Sequence, residues 1–360
     1  MTSLSQNVVD RIAANIEAPS ELWRQRARAH LDTLTKPLGS LGRLEDLAAQ
    51  IVAIRGERIT MPNNKGVYIF AADHGITAEG VSAYPREVTH QMVLNFLAEG
   101  AAINVLARLH GVALHVVDVG VDADFHNIPG LLHHKVAPGT TNMLHAPAMT
   151  DDELAAALSI GDTIAESAAA EGQTMIAIGE MGIGNTTAAS AITCAITGAT
   201  AAQATGRGTG VNSEAHKRKI SVVDAIIARH FGDSSTQPSP LDILRCVGGL
   251  EIAAMAGTVL AAARHKLLVV VDGFISTAAA ALAVAIAPAA LGYLIAGHQS
   301  EEPGHKLLLD HVNLTPVLAL NMRLGEGTGA VLAMPILESA IALYTQMATF
   351  ASAHVSEASQ

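Results

Sequence analysis

Short apolar runs recur along the chain, and each of them ends at an acidic residue or a glycine. The four clearest runs cover 66–72, 113–120, 174–180 and 267–273. Continuous apolar runs of this length are typical of parallel strands that are buried on both faces. Longer segments rich in alanine and leucine predict helices at 85–109, 151–170, 186–197, 277–291 and 331–344. We therefore expect an α/β fold, a doubly wound and mostly parallel sheet flanked by helices, in which the four strand ends face one crevice.

The first 60 residues follow a helical pattern instead. They predict helices at 8–16, 20–34 and 44–54, with an irregular break at 37–42. We predict three parts: an N-terminal helical element at 1–60, a Rossmann-like catalytic domain at 61–335, and a C-terminal helix and tail at 336–360. The first and last parts are expected to form one small helical domain. The polar segment 232–240 is expected to be an exposed loop.

Composition and charge narrow the function classes. Half of the 360 residues are apolar, only 3% are aromatic, and the formal net charge is −11. Because a nucleic-acid partner requires a basic face, none is predicted. Cys194 and Cys246 are isolated in apolar surroundings, so we predict two packed thiols in a reducing compartment. The first six residues carry no secretory signal, and a cytoplasmic location is predicted.

Two apolar stretches, 253–263 and 274–296, raise the question of a membrane span. Pro288 and Gly292 interrupt the second stretch, and alanine rather than leucine dominates it. A pair of buried helices is the better interpretation, and no membrane partner is predicted.

The string Gly179-Glu180-Met181-Gly182-Ile183-Gly184-Asn185-Thr186-Thr187 follows a predicted strand and opens a helix. Free backbone N–H groups and the positive helix end would favour a small anion there, which predicts a phosphate cradle. An ordinary tight turn with an N-cap is an equally good explanation of the string alone.

Two further segments are rich in polar groups. Gly206-Arg207-Gly208-Thr209-Gly210, followed by Lys217-Arg218-Lys219, can supply a charged donor to phosphate through Arg207 or Lys219, although a solvated helix face explains the basic cluster as well. Gly297-His298-Gln299-Ser300-Glu301-Glu302-Pro303-Gly304-His305 is interpreted as a hydrogen-bonding substrate loop.

The string Gly325-Glu326-Gly327-Thr328-Gly329 places one carboxylate between glycines, just before an apolar helix. Small neighbours let a flat ligand approach Glu326, which makes it a candidate general base. Taken locally, a role in capping the helix explains Glu326 better.

Two rival functions remain open at this point. A metal-dependent hydrolase would use Asp73, His74, His298 and His305, although their spacing matches no recognised metal motif. A non-catalytic nucleotide-binding protein would use the glycine-rich loops only to hold phosphate.

Seven strings, in this order, resemble the nicotinate-nucleotide–dimethylbenzimidazole phosphoribosyltransferase family, and they span nearly the whole chain. They lie at 36–45 (Lys-Pro-Leu-Gly-Ser-Leu-Gly-Arg-Leu-Glu), 72–75 (Ala-Asp-His-Gly), 80–85 (Gly-Val-Ser-Ala-Tyr-Pro), 179–187, 271–274 (Val-Asp-Gly-Phe), 297–301 and 323–327 (Arg-Leu-Gly-Glu-Gly). The resemblance implies a pentosyltransferase that joins the phosphoribosyl group of nicotinate mononucleotide to 5,6-dimethylbenzimidazole. The product would be α-ribazole 5′-phosphate for the lower ligand of cobalamin.

The resemblance also implies roles for residues of this chain. Glu326 would be the base that removes the N–H proton of dimethylbenzimidazole while the other ring nitrogen attacks C1′, and Glu180 would lie beside it as the second catalytic carboxylate. The implied substrate-binding residues are Ser82, Tyr84, Gln91, Met181, Gly182, Gly184, Asn185, Thr186, Arg207, Lys219, Asp272, Gly273, Ser300, Arg323 and Gly325. No cofactor and no metal are implied, because the pyridinium leaving group already makes C1′ electrophilic. A homodimer is implied, with an interface that the apolar helices at 250–300 could provide.

Overall fold

The computed structural model describes residues 3–62, 64–126, 128–208, 210–232 and 237–356. In this part of the chain six parallel strands form one sheet in the order β3-β2-β1-β4-β5-β6. The strands are β1 (Lys65–Ala72), β2 (Ala113–Gly120), β3 (Leu131–His133), β4 (Met175–Met181), β5 (Leu268–Val271) and β6 (Leu294–Ala296). The predicted α/β class with a parallel sheet is confirmed.

Helices cover both faces and the ends of the sheet. They are α1 (Leu4–Ile12), α2 (Glu21–Asp32), α3 (Arg43–Arg55), α4 (Val88–Leu97), α5 (Ala102–Leu109), α6 (Asp151–Ala170), α7 (Asn185–Thr197), α8 (Ala201–Ala204), α9 (Ser213–Phe231), α10 (Pro240–Val247), α11 (Leu250–Arg264), α12 (Phe274–Ile286), α13 (Pro303–Val312), α14 (Thr328–Gln346) and α15 (Phe350–Ala353). Short 3₁₀ helices lie at Gly56–Arg58, Gly75–Glu79 and Pro288–Tyr293.

The strand order reverses between β1 and β4. The chain moves outward from β1 through β2 to β3, returns to β4 on the other side of β1, and moves outward again through β5 to β6. In open parallel sheets this switch point leaves a crevice at the carboxyl ends of the strands, where ligands bind. Glu180 lies at that end of β4, paired in register with Phe70 of β1.

Two helical predictions were wrong in extent. The segment predicted as one helix at 85–109 is divided into α4 and α5, because Glu99 adopts a positive φ of 59° between them. The helix predicted at 277–291 ends at Ile286, since proline at 288 disfavours helical backbone in the residue before it and cannot donate to the helix ladder. The chain then forms β6, which was not predicted; three-residue strands such as β3 and β6 are too short for a periodic signal.

The two apolar stretches at 253–263 and 274–296 do contain a buried helix pair, α11 and α12, which pack against each other. Most residues of the two helices are buried within the chain. The expectation that helices at 250–300 supply a dimer interface stays a prediction.

Two other helical segments of the described residues, Val88–Leu109 and Thr328–Gln346, are long and apolar enough to cross a membrane by length and composition alone. A core helix passes the same test. Helix α14 packs against α3 and β4, and the first segment is broken between α4 and α5.

The terminal segments meet in space. The predicted N-terminal helices are present as α1, α2 and α3, with ends shifted by up to four residues. Helix α14 packs against α2 and α3, and a bridge pairs Leu34 with Thr349. The division into parts at 60 and 335 stays a prediction. Of the predicted loop at 232–240, residues 233–236 lie outside the described residues. Both cysteines are buried free thiols, as predicted.

Close packing of α6 against α11 depends on small residues. A Cβ at Gly161 would lie 2.1 Å from the carbonyl oxygen of Ala254, which is backbone and cannot move aside cheaply. We expect Gly161→Ala to lower the free energy of unfolding by about 2 to 3 kcal/mol, measured by urea denaturation. Ala156→Ser, which adds one atom at an exposed position of α6, should change it by less than about 0.5 kcal/mol. A Gly161→Ala protein as stable as the wild type would contradict this packing.

Candidate active site

A cavity of about 740 Å³ opens at the carboxyl ends of β4, β5 and β6, next to the switch point. One part of its wall is apolar and comes from α4 and the segment before it, the turn before α7, the start of α12 and the segment before α14. These side chains are Tyr84, Val88, Met92, Ile183, Phe274, Ile275, Met322 and Leu324. Such a wall suits a flat aromatic ligand, and the polar residues opposite it can fix the ligand's orientation.

The structure brings many of the predicted site residues to this cavity. Those that line it are Tyr84, Glu180, Met181, Gly182, Asn185, Thr186, Gly273, Ser300, Arg323, Gly325 and Glu326. The predicted residues that do not line it are Ser82, Gln91, Gly184, Arg207, Lys219 and Asp272. The first group comes from the segment before α4, from β4 and the turn to α7, from the start of α7, and from the loops after β5, β6 and α13, so residues far apart in sequence share one site.

Glu326 sits at the centre of an unusual turn. Gly325, Glu326 and Gly327 have φ angles of 83°, 63° and 85°, three consecutive residues in the left-handed region. Glycine adopts this conformation freely, whereas glutamate is strained in it, and such strain concentrates at functional sites. The turn therefore holds the Glu326 side chain in a direction that an ordinary loop would not.

Asp272 stabilises this turn through hydrogen bonds to its backbone. Its buried carboxylate accepts hydrogen bonds from the backbone N–H of Gly327 (3.1 Å) and from that of Ala330 (3.0 Å), the free donors at the start of α14. Burial raises the pKa of Asp272, while His298, 3.8 Å away, and these donors oppose the shift. In the described structure Asp272 thus supports the turn at 325–327 rather than the cavity wall.

The Glu326 carboxylate is poised for proton transfer. Glu326 is 6% exposed, and its Oε2 atom has no hydrogen-bond partner among the described residues. Burial raises the pKa of Glu326 to about 7; the backbone N–H of Ile103 opposes the shift and Asp272 adds to it. A carboxylate with this pKa can accept a proton and release it again near neutral pH.

Glu180 lies beside this turn with a different protonation state. A Cβ at Gly325 would be only 2.5 Å from Glu180 Oε1, so the glycine leaves room for this carboxyl group. Burial, followed by the charges of Glu251 and Asp272, raises the pKa of Glu180 to about 8, against a hydrogen bond from the Asn185 side-chain amide. At neutral pH Glu180 is therefore the more protonated of the two carboxyl groups.

The phosphate cradle predicted at the start of α7 stays a prediction. Gly184 is the N-cap of this helix, with a φ of 100° and no side-chain cap. The N–H groups of Asn185 and Thr187 donate to the carbonyl oxygens of Gly182 (3.1 Å) and Gly184 (2.9 Å). Lys219 of α9 is buried behind this turn and donates to Thr186 Oγ1 at 2.7 Å. Burial lowers the pKa of Lys219 to about 8 and the nearby Glu302 opposes this shift, so the amine is still mainly cationic at pH 7.

Three other predicted binding residues, Arg207, Ser82 and Gln91, also lie outside the cavity wall. Arg207 donates to the Val211 carbonyl oxygen and to Ser213 Oγ, each at 3.1 Å, within its own loop. Ser82 Oγ accepts from the Tyr84 N–H. Gln91 is exposed on α4, and Thr209 lies outside the described residues.

Sequence reasoning interpreted the string at 297–305 as a substrate loop but named only Ser300 in it as a binding residue. The structure also places His298 and Glu302, both buried, in the cavity wall. The polar composition of the string was the signal that could have identified them.

The four residues of the hydrolase alternative do not converge. His74 pairs with Glu251, and His305 is bonded to Thr277 Oγ1 and to the Ser300 N–H. Within the described ranges no group of three or more His, Cys, Asp or Glu side chains is arranged to hold a metal ion.

Comparison with known proteins gives a consistent result. A family model described as phosphoribosyltransferase matches residues 16–355. The chain is 49% identical over 351 residues to a nicotinate-nucleotide–dimethylbenzimidazole phosphoribosyltransferase from Geotalea uraniireducens, covering 98% of this chain and 99% of that protein. A protein of the same name from Geobacter sulfurreducens is 51% identical over 94% of this chain and 95% of its own length. The crystal structure of CobT from Thermus thermophilus superposes with a TM-score of 0.89 at 47% identity, covering 94% of this chain and 100% of that one.

Proposed function

Because this chain belongs to the nicotinate-nucleotide–dimethylbenzimidazole phosphoribosyltransferase family, we propose that its cavity transfers the 5-phosphoribosyl group of nicotinate mononucleotide to 5,6-dimethylbenzimidazole. The products are α-ribazole 5′-phosphate and nicotinate. The observation that carries the proposal is the Glu326 carboxylate, buried at the cavity with one oxygen unpartnered and a pKa raised to about 7.

The acceptor base lies against the apolar wall with its N–H group toward Glu326. As the second ring nitrogen forms its bond to C1′, the C1′ bond to the pyridinium nitrogen breaks and nicotinate leaves with that electron pair. The N–H proton passes to Glu326, and attack from the opposite face inverts C1′ from β to α. Positioning, one base and a water-poor cavity supply the catalysis, since the leaving group carries its positive charge from the start.

Glu180 assists as a neutral carboxylic acid. Its raised pKa of about 8 keeps a second negative charge away from the Glu326 side chain at neutral pH. In the protonated form it can donate a hydrogen bond into the cavity, while Asn185 holds its other oxygen. We place it beside the reacting centre as a positioning residue.

The function is tested by supplying nicotinate mononucleotide with a panel of aromatic nitrogen bases and separating the products by HPLC. We expect an α-ribotide and one equivalent of nicotinate, with 5,6-dimethylbenzimidazole as a good acceptor. A protein that binds the nucleotide but releases no nicotinate with any base would contradict the proposal and favour a purely nucleotide-binding function.

Phosphate binding at Thr186 depends on Lys219. We expect Lys219→Met to raise the KM for nicotinate mononucleotide about 10- to 100-fold and to change kcat much less, because the phosphate is bound equally in the ground and transition states. Since the pKa of Lys219 is about 8, the KM of the wild type should also rise above pH 8 as the amine loses its proton.

Lys217→Met on the exposed face of the same helix is the matched control and should leave the KM within about twofold. Equal effects of the two substitutions would indicate general electrostatic attraction rather than a phosphate site at Thr186.

The homodimer that the family resemblance implies and the cytoplasmic location that the sequence predicts remain our expectations for this chain. Sedimentation analysis of the purified protein tests the first.

A further inference from the structure

Alternate residues of the segment from His298 to Glu302 differ in burial. His298, Ser300 and Glu302 are buried and line the cavity, whereas Gln299 and Glu301 are exposed. The backbone N–H groups of the two exposed residues hold the segment in place, donating to the carbonyl oxygens at 318 (2.8 Å) and 322 (3.0 Å). Alternation with a period of two therefore directs three polar side chains at one ligand space.

Of these three side chains, Glu302 differs because an ionised carboxylate can accept hydrogen bonds but cannot donate them. It is 6% exposed, and its Oε2 atom has no hydrogen-bond partner among the described residues. The residue occupies the N-cap position of α13, yet its side chain makes no capping hydrogen bond. Helix capping does not explain the carboxylate, although the positive end of α13 favours a negative group there. Buried polar atoms of this kind call for a partner.

The neighbours of Glu302 do not provide that partner. A Cβ at Gly206 would lie 2.0 Å from Oε2, so the carboxylate is packed against a residue with no side chain. Lys219 is near enough to attract it electrostatically, but its amine donates to Thr186 Oγ1. Glu302 therefore lies beside the phosphate cradle with acceptor capacity that remains free.

The chemistry of the nucleotide limits what can fill this capacity. At neutral pH the phosphate and the carboxylate of nicotinate mononucleotide are anionic acceptors, and a carboxylate would repel both. Its ribose hydroxyls are donors, and carboxylates are common acceptors for ribose hydroxyls in nucleotide sites. A position next to the phosphate cradle is also where the ribose of a 5′-phosphate must lie.

We propose that Glu302 accepts a hydrogen bond from a ribose hydroxyl of the nucleotide and so makes the enzyme selective for ribose over deoxyribose. The proposal rests on the proposed function, because it takes nicotinate mononucleotide as the ligand of the cavity. It assigns the exposed neighbour Glu301 no contact with the substrate.

The test is a cycle of variants and substrates. Wild type and Glu302→Met are assayed with nicotinate mononucleotide, its 2′-deoxy analogue and its 3′-deoxy analogue. We expect Glu302→Met to lower kcat/KM for the ribonucleotide about 10- to 100-fold, in the range for a hydrogen bond to a charged group. With the analogue that lacks the bonded hydroxyl, the loss should be less than about threefold. Comparing variant with wild type on each substrate cancels the different intrinsic reactivity of deoxyribosyl bonds.

Two further variants sharpen the result. Glu302→Gln keeps one acceptor oxygen and should fall between wild type and Glu302→Met, while Glu301→Met is the matched control and should behave as wild type with all three nucleotides. An equal loss on all three nucleotides would overturn the proposal, since Glu302 would then act through Lys219 or through folding. No loss on any nucleotide would overturn it as well.

If the proposed function itself is wrong, the wild-type protein will release no nicotinate with any base, which distinguishes this outcome from a failure of the Glu302 proposal. Glu302 is then tested by calorimetric binding of the same three nucleotides. Weaker binding of the ribonucleotide alone to Glu302→Met supports the proposal, and equal weakening of all three overturns it. If Glu302→Met does not fold, Glu302→Gln takes its place in both measurements.

Discussion

Replacing Glu326 with Gln is expected to lower kcat for α-ribazole 5′-phosphate formation by about 10²- to 10⁴-fold, the range for loss of a general base. The amide has nearly the same shape, so the left-handed turn at 325–327 and the hydrogen bonds from Gly327 and Ala330 to Asp272 should persist. The variant should therefore fold normally and bind nicotinate mononucleotide with little change. What it loses is the oxygen that accepts the proton of the base.

The pH dependence gives a second readout of the same substitution. Glu326 acts as a base only when ionised, and its pKa is raised to about 7. The kcat of the wild type should rise with pH through about 7 and fall again above about 8, where Glu180 loses its proton, whereas Glu326→Gln should lack the rise. Glu301→Gln removes an exposed carboxylate near the cavity and should retain the wild-type profile. Stopped HPLC assays from pH 5 to pH 9 measure all three proteins.

Asp272→Ala is expected to have the second-largest effect, on stability and on catalysis together. It leaves the buried N–H groups of Gly327 and Ala330 without their acceptor, which should lower the free energy of unfolding by about 2 to 4 kcal/mol. Because the strained turn at Glu326 is then unsupported, kcat should also fall at least about tenfold. Urea denaturation and steady-state assays measure the two effects.

Asp272→Asn separates support of the turn from contact with the substrate. The amide keeps one acceptor oxygen in place, so it should recover part of the stability and part of kcat. A KM for the nucleotide that rises strongly, with stability and kcat unchanged, would contradict the supporting role and return Asp272 to the group of substrate-binding residues.

The sheet could be predicted from the sequence because four of its strands are largely buried. Buried strands produce apolar runs that are visible without knowing which strands pair, as β1, β2, β4 and β5 illustrate. The short strands β3 and β6 form by pairing with β2 and β5, and this pairing leaves too few residues for a pattern. The end of α12 could have been placed better, since Pro288 already indicated it.

The sequence predicted which residues form the candidate site better than it predicted what each residue does. The glycines around Glu326 and the string at 179–187 identify backbone that must approach a ligand, and the family resemblance points to the same residues. The carboxylate of Asp272 reaches N–H groups 55 and 58 residues further along the chain, a contact that depends on how β5 meets α14. The raised pKa values of Glu180 and Glu326 depend likewise on burial and on charges brought together by folding.

The central claim, that Glu326 removes a proton from the acceptor base, is tested most directly with an acceptor that has no such proton. Benzimidazole carries an N–H group, whereas 1-methylbenzimidazole attacks C1′ through its free nitrogen and gives a cationic product without losing a proton. We predict that Glu326→Gln lowers kcat at least about 100-fold with benzimidazole and less than about threefold with 1-methylbenzimidazole, each relative to wild type on the same base. An equal loss with the two bases would contradict the claim, because Glu326 would then act on the substrates without taking the proton.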